Sequence, residues 1–522
     1  MFKADIALAD LAFDAAWKDG RLIVGQSQIT PYAHAALETL LVCTEGQWFA
    51  VVRERLAESS PEPAATKIVN TEQFHQLYQA CLMWPLDYLM IEVAQAGPRL
   101  RIRAGVIGSA PVYCRATDDR VQISWDFADF LAKPRALDLE IASHHLALHT
   151  AYSARQICTG VTLLTERASL YMEHGKARYQ YPASAGVTEP SSLAEHGDAV
   201  AMFQDRLLDT LSIRPMQANR IVAELSGGMD SATVACALSA LHAPVASMGI
   251  LLDGDVGRTQ IQRRRRITAR LGLLDSTVEM AVFPPSLDLH PDMRRVDYPL
   301  REYYLEAVEA LWNTARLQGH DLLFTGIGGD ELFPVYGDEV KPESDCDEAT
   351  VTVGRNHAED LLTPRALDAA RSLSVFDAPA SPVPASALLA HACQAPNLLR
   401  LGFWPVNPLS QPGLVSFCHQ LPREWRHERE IMRQYLHSCL GDAIFPRDYV
   451  KETFAEVLPK LISQHAKTIA SQLHDCALAD LGLVDQRAVL ALLDQVAVTR
   501  SSALTSPLAN FLWLERFVRR VI

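Results

Sequence analysis

The pattern of apolar and polar positions divides the chain into two parts with different periodicity. In the first part, short apolar or alternating runs separated by turn residues predict β-strands. These runs cover 48–52, 89–93, 100–105, 111–114 and 121–125, and a predicted helix over 139–148 is followed by strands over 168–172 and 177–181. The first part is therefore expected to be a mainly β domain.

From about residue 199, helical patterns alternate with buried-strand patterns. The predicted helices are 201–211, 231–241 and 258–271, and the predicted strands are 221–225, 245–252, 277–282 and 322–324. Such alternation is typical of a doubly wound parallel sheet with helices on both faces, which binds ligands at the carboxyl ends of its strands. Beyond residue 350 the pattern is helical and irregular. The polar segment 189–198 separates the two parts, so we expect domains at 1–195 and 196–522.

The most informative stretch, Ser-Gly-Gly-Met-Asp-Ser, lies between strand 221–225 and the helix that follows. Gly227 and Gly228 let the backbone approach an anion, and the helix N-terminus directs N–H groups and positive potential at the same place. Ser226 and Ser231 add hydroxyl donors. Asp230 would repel a bare phosphate, which indicates a Mg²⁺ ion between the two. The alternative is an ordinary glycine-containing turn between a strand and a helix.

This strand–loop–helix element resembles the pyrophosphate-binding loop of adenylating ATP pyrophosphatases and lacks the Walker pattern. A second loop, Thr-Gly-Ile-Gly-Gly-Asp-Glu-Leu-Phe at 325–333, follows strand 322–324 and resembles the signature of asparagine-synthetase-like enzymes. The resemblance implies ATP and Mg²⁺ as cofactors, with Asp230 and Asp330 holding one metal ion. Asp330 also fits a helix N-cap, a role compatible with metal binding.

The same resemblance implies roles for further residues. Leu225 and Met248 would flank the adenine, and Thr325 and Gly326 would contribute from the second loop. Residues 445–454 resemble the family's segment with a catalytic lysine, which here is Lys451. A fixed cation would stabilise the charge on an acyl-adenylate during attack by an amine. The alternative for Lys451 is an exposed helix lysine paired with Glu452 or Glu456.

The first part of the chain resembles the amidotransferase domain of asparagine synthetase in a degenerate form. Glutamine-dependent members use a cysteine at position 2, but this chain has Phe2, and its first cysteine is Cys43. Amide hydrolysis needs a thiol or hydroxyl nucleophile, so we expect an inactive glutaminase-like domain of the N-terminal-nucleophile (Ntn) type. Ile327 stands where asparagine synthetases usually carry Glu and β-lactam synthetases carry Tyr, and it can replace neither.

Composition adds further constraints. The chain has 48 Lys and Arg against 62 Asp and Glu, a net charge of −14 that argues against nucleic acid as the main partner. Ten scattered cysteines without a Cys-x-x-Cys pair are typical of thiols in a reducing compartment. Prolines interrupt the longest uncharged runs, so no membrane span is expected and a cytoplasmic location is favoured. The arginine run 263–266 is predicted to be a solvated helix face; the alternative is a contact to an acidic peptide.

Taken over nearly its whole length, the chain looks most like a lasso-peptide cyclase. That resemblance implies adenylation of an Asp or Glu side chain of a precursor peptide and attack by the peptide's own N-terminal amine. The products would be a macrolactam, AMP and pyrophosphate, and the partners would include a leader peptidase and a leader-binding protein. The alternatives are a small-molecule synthetase of the β-lactam type, an ammonia-dependent asparagine synthetase, and a non-enzymatic scaffold that binds nucleotide or leader peptide.

Overall fold

A computed structural model describes most of the chain. The described residues are 1–58, 64–131, 136–186, 189–192, 197–216, 220–243, 245–290, 302–336, 346–372, 376–449 and 451–521. The predicted domain boundary between 195 and 196 lies outside these residues.

Two sheets form the N-terminal part. The first has the order β12-β10-β11-β1-β4-β3-β2 and the second the order β14-β13-β9-β8-β6-β5-β7. Apolar side chains of both sheets belong to one buried cluster, which places the sheets face to face. The strands are β1 Phe2–Ala7, β2 Ala15–Lys18, β3 Arg21–Val24, β4 Ser27–Pro31, β5 Leu37–Thr44, β6 Gln47–Glu54, β7 Ala64–Ile68, β8 Tyr88–Ala94, β9 Arg99–Ala104, β10 Tyr113–Ala116, β11 Arg120–Ser124, β12 Thr162–Leu163, β13 Ser169–Glu173 and β14 Lys176–Gln180. Helices α1 Thr71–Leu82 and α2 Leu139–Leu146 complete this part.

The C-terminal part contains a five-stranded sheet of order β17-β16-β15-β18-β19, with every pair of neighbours parallel. Its strands are β15 Ile221–Glu224, β16 Ala246–Leu251, β17 Leu274–Glu279, β18 Leu322–Phe324 and β19 Trp404–Val406. The helices are α3 Ala199–Ser212, α4 Met229–Ala240, α5 Gly254–Leu271, α6 Leu305–Leu317, α7 Cys346–Glu359, α8 Pro364–Ala370, α9 Ala385–Arg400, α10 Pro412–Gln420, α11 Arg423–Arg426, α12 Glu430–Leu440, α13 Val457–Gln472, α14 Ala477–Asp480, α15 Gln486–Thr499 and α16 Ser502–Val521. The mixed α/β fold class predicted from the sequence is confirmed, whereas the Ntn type of the N-terminal part stays a prediction.

One predicted strand is displaced. The strand predicted over 277–282 covers Leu274–Glu279, three residues earlier. It is an edge strand in register with β16, and it begins soon after α5, which ends at Leu271 and is capped by Gly272. An edge strand needs fewer buried apolar residues than a central one, so its exposed Leu274 and Asp275 gave no strand signal.

The two parts of the chain are packed against each other. Arg400 on α9 donates to both carboxylate oxygens of Asp126, at 2.5 and 2.8 Å. The hydroxyl of Tyr32 donates to the carbonyl oxygen of Leu399 at 2.9 Å. Among the helices that the structure describes, none is both long and apolar enough to cross a membrane.

Candidate nucleotide-binding and catalytic site

The two glycine loops meet at the carboxyl ends of neighbouring parallel strands. β15 leads into the first loop and pairs with β18, which leads into the second. A methyl group at Gly326 would lie 2.9 Å from the backbone nitrogen of Ser231, and one at Gly329 would collide with the side chain of Asp230. The absence of side chains at these glycines therefore lets the second loop lie directly against the first turn of α4.

This close approach brings Asp230 and Asp330 to one point, as the sequence predicted. A guanidinium group joins them: Arg429 Nη1 lies 2.8 and 3.0 Å from the two carboxylate oxygens of Asp230, and its Nη2 donates to Asp330. Lys451 Nζ donates to Asp330 Oδ1 at 3.0 Å. Two carboxylates and two cations from four separate segments thus surround one point.

Arg429 was missed by the sequence reasoning. It lies in a stretch crowded with charges, residues 423–430, so its charge does not single it out. Glu428 and Arg429 both have left-handed backbones, with φ of 50° and 57°, immediately before α12. Such conformations are uncommon for side chains of this size and cluster at functional sites.

The electrostatic environment shifts the pKa values of the two carboxyl groups in opposite directions. Burial raises the pKa of Asp230, although the nearby Arg429 opposes this effect. Burial acts in the same direction on Asp330, but Arg429 and Lys451 together outweigh it and lower the pKa of that carboxyl group. Both are oxygen ligands of the kind that Mg²⁺ prefers. No group of three or more metal-ligating side chains occurs among the described residues, so phosphate and water oxygens would have to complete a metal site there.

The sequence left open that Lys451 is an exposed helix lysine paired with Glu452 or Glu456. The structure agrees with only part of this alternative. Lys451 is exposed, but it does not lie on a helix, because α13 begins only at Val457. It forms an ion pair with Asp330 rather than with Glu452 or Glu456.

The first loop is shaped by its own hydroxyl groups. Gly227 has φ of +100°, a conformation that side chains rarely adopt. The backbone nitrogen of Ser226 donates to Ser231 Oγ at 3.1 Å, and the backbone nitrogen of Gly228 donates to Ser226 Oγ at 3.1 Å. The two serines therefore hold the loop at the N-terminus of α4.

A buried carboxylate lies over this loop. Glu452 Oε1 would be 3.2 Å from a methyl group at Gly227, and burial raises its pKa. Arg263 donates to this carboxylate and to the carbonyl oxygen of Gly227. Glu452, paired with Arg263, thus lies against the glycine pair. The sequence predicted that this pair binds an anionic ligand.

The arginine run 263–266 is not the solvated face that the sequence predicted. Arg263 and Arg264 are 7% and 1% exposed, and only Arg265 and Arg266 face solvent. Arg263 pairs with Glu452, and Arg264 donates to Asp275 Oδ1 at 2.5 Å. Because each buried arginine has a carboxylate partner, the cost of removing its charge from water is offset.

The residues predicted to contact adenine have buried side chains. Leu225 and Met248 are fully buried in apolar clusters, and the nitrogen of Leu225 donates to the carbonyl oxygen of Met248 at 2.7 Å. Thr325 is also buried; its hydroxyl donates to Asn407 Oδ1 at 2.5 Å and accepts from the nitrogen of Ile327. The side chain of Ile327 packs against the C-terminal helical cluster.

Two open grooves flank the site. One, of about 460 Å³, lies between α5 and the residues 443–449 with Glu452, and it includes Thr259, Arg263 and Tyr449 in its lining. The other, of about 380 Å³, follows the ends of β16 and β17 and is lined largely by apolar residues such as Leu252, Met280 and Leu461. Both grooves lie beside the segment that carries Lys451 and Glu452, and neither lining includes Asp230, Asp330 or Arg429.

The N-terminal part has no comparable convergence at the position of the family's nucleophile. Phe2 is fully buried and belongs to the apolar cluster between the two sheets. In a comparison with known proteins, residues 202–391 match the family model of asparagine synthase. The match includes Asp230 and Asp330 and ends before Arg429 and Lys451. No curated protein matches the chain.

The match and the two glycine loops identify residues 202–391 as an asparagine-synthetase-like domain. This family uses ATP to form amide bonds through adenylation.

Proposed function

We propose that the protein is an ATP-dependent synthetase that closes a macrolactam in a peptide. It adenylates the side-chain carboxylate of an Asp or Glu residue of a precursor peptide, and the N-terminal amine of the same peptide attacks the adenylate. AMP and pyrophosphate leave. The observation that carries the proposal is the convergence of Asp230, Asp330, Arg429 and Lys451 beside the first glycine loop.

The residues at this point have distinct roles in the proposal. Asp230 and Asp330 would hold Mg²⁺, which supplies neutralisation of the triphosphate charge. The backbone N–H groups of the first loop and the start of α4 bind the pyrophosphate portion. Lys451 stabilises the negative charge that develops while the amine attacks. Arg429 contacts both carboxylates and balances part of their charge.

The source of nitrogen follows from what the chain lacks. A buried Phe2 offers no nucleophile for releasing ammonia from glutamine, and Ile327, packed in an apolar cluster, offers no acid or base. An amine on the substrate itself is then the simplest donor. Since both reacting groups belong to one molecule, the enzyme contributes mainly by positioning them.

A peptide substrate is supported by the likeness to lasso-peptide cyclases and by the apolar groove beside Thr453. That groove lies at the strand ends next to the segment that carries Lys451, where it can receive apolar side chains of a folded peptide. A leader peptidase and a leader-binding protein are the proposed partners, and the cytoplasm is the proposed location.

Mass spectrometry of the peptide product tests this function. The purified protein is incubated with ATP, Mg²⁺, the precursor encoded beside its gene and the accompanying leader peptidase. The expected product has lost one water, with one AMP formed for each ring, and free glutamine yields no ammonia. A precursor in which Asn or Gln replaces the acceptor Asp or Glu must stay linear.

Other outcomes would favour the alternatives. AMP formation with a small amino acid and ammonia, but no change in the peptide, would indicate an asparagine synthetase. AMP formation with a small molecule that carries both amine and acid would indicate a β-lactam type of synthetase. Nucleotide or peptide binding without any AMP would indicate a scaffold.

A further inference from the structure

A basic surface lies on the second N-terminal sheet, apart from the synthetase site. Alternate residues of β9 and β14 contribute Arg99, Arg101, Lys176 and Arg178 to one face, and β13 contributes Tyr171. We call this set the basic sheet face. Its residues line an open groove of about 520 Å³.

The strand register holds the cations in rows. Arg101 and Arg178 lie opposite Tyr171 on its two sides, and the next row places Arg99 and Lys176 on either side of Glu173. The guanidinium carbons of Arg101 and Arg178 are 4.8 and 4.4 Å from the centre of the Tyr171 ring. Stacking of this kind restricts the arginine side chains, so their charges are positioned before any ligand arrives.

The charge balance of the groove is opposite to that of the chain. Its lining contains these four cations against Glu92 and Glu173, whereas the whole chain has 48 Lys and Arg against 62 Asp and Glu. Glu92 lies 3.9 Å from Arg101 and accepts a hydrogen bond from Tyr78, so it compensates only part of this charge. Arg99, Lys176 and Arg178 are exposed. The groove is therefore complementary to a negatively charged ligand.

The groove borders the free edge of a sheet. β14 is the last strand of its sheet, and the structure describes no strand on its outer side. It forms a hairpin with β13 through His174 and Gly175, which have φ of 50° and 71°. In a two-residue hairpin the residues that flank the turn share hydrogen bonds and the next pair does not. The backbone groups of Ala177 and Tyr179 consequently face outward, where an extended chain can pair with them.

We propose that the basic sheet face binds an acidic peptide segment, which adds to β14 as a further strand. In an added strand every second side chain faces the same side of the sheet as Arg178 and Lys176, so carboxylates at alternate positions meet the cations. Strand addition needs backbone amide groups, which nucleic acid lacks, and the net charge of −14 repels an extended polyanion. The inference concerns binding without ATP and does not depend on the proposed reaction.

Fluorescence anisotropy with a labelled peptide of alternating Glu and Val residues tests this proposal. The wild-type protein should bind this peptide and should not bind its Lys-Val counterpart. The double variant Lys176→Glu, Arg178→Glu should bind the Glu-Val peptide at least about 10-fold more weakly, since two charge-assisted contacts are lost and replaced by repulsion between like charges.

The other N-terminal sheet provides a matched control. Lys18 and Arg21 are exposed and lie opposite each other on the β2–β3 hairpin, at the edge of that sheet. The variant Lys18→Glu, Arg21→Glu changes the net charge equally and should keep the wild-type affinity. Thermal unfolding of both variants shows whether each is folded at the assay temperature.

Three results would overturn the proposal. Equal loss of affinity in both double variants would show that only the overall charge matters. Undiminished binding of a Glu-Val peptide with N-methyl groups at alternate backbone positions would rule out strand addition. Binding of a single-stranded oligonucleotide in place of the acidic peptide would make the face a nucleic-acid site.

Discussion

The C-terminal glycine loops and the N-terminal sheets both resemble parts of glutamine-dependent synthetases, but they differ in which polar groups they contain. The loops gather Asp230, Asp330, Arg429 and Lys451 around one point. At the N-terminal nucleophile position the chain has Phe2, fully buried among apolar neighbours. Gathering charges costs desolvation and contributes little to stability, whereas a buried aromatic ring contributes directly to the core. The difference supports the proposal that the loops carry the chemistry, while Phe2 stabilises the packing of the N-terminal sheets.

Removing one of the two carboxylates proposed to hold Mg²⁺ tests this contrast most strongly. Asp230→Asn or Asp330→Asn should each lower ATP-dependent AMP formation by at least about 1000-fold, since the neutral amide keeps the size of the side chain but loses the charge that holds Mg²⁺. Pyrophosphate release measures the effect. The control Asp209→Asn, on the exposed face of α3, should behave as wild type. Normal turnover in either site variant would show that the metal assignment is wrong.

Lys451 should have the next largest effect. Lys451→Ala should slow amide formation by roughly 100- to 1000-fold, because a fixed cation is lost where negative charge develops. The dissociation constant for ATP should change much less, since the first loop and α4 remain intact. Exposed Lys467 on α13 provides the control. Equal losses in ATP affinity and in rate would assign Lys451 to nucleotide binding only.

The elements with local signals could be predicted from the sequence. A glycine pair between a buried strand and a helix predicted the first loop, and a glycine pair after a buried strand predicted the second. The alternation of patterns predicted β15, α4, β16 and β18. The partners of charged residues could not be predicted in this way. Arg429 meets Asp230 across 199 positions, and Arg263 meets Glu452 across 189. Contacts between residues so distant in sequence depend on how the helices and loops pack. The periodic pattern of apolar and polar residues does not reveal them.

His391 on α9 lies between the N-terminal part and the second glycine loop. It allows a test with a smaller expected effect. Its Nε2 lies 3.2 Å from Ser410 Oγ, which in turn donates to the carbonyl oxygen of Ile327 in the second loop. On the other side, a methyl group at Gly108 would be 2.9 Å from Leu388 on the same helix. Burial lowers the pKa of His391 to about 4 from its usual 6.5. The folded protein therefore keeps this imidazole neutral over a range in which the unfolded chain protonates it.

Burial of a neutral His391 should make the free energy of unfolding fall as the pH is lowered. Between pH 6.5 and about 4 the unfolded chain binds a proton that the folded protein does not bind at His391, so this residue reduces stability as the pH falls. The slope is at most roughly 1.4 kcal/mol per pH unit. In His391→Asn the free energy of unfolding should be lower near pH 7.5, because the hydrogen bond to Ser410 is altered, but it should fall less steeply on acidification. Urea unfolding across this pH range measures both slopes, with exposed His465→Asn as the control that keeps the wild-type slope. Equal slopes in wild type and His391→Asn would mean that the packed interface admits a charged imidazole, and the two regions would then be less tightly joined than the buried contacts indicate.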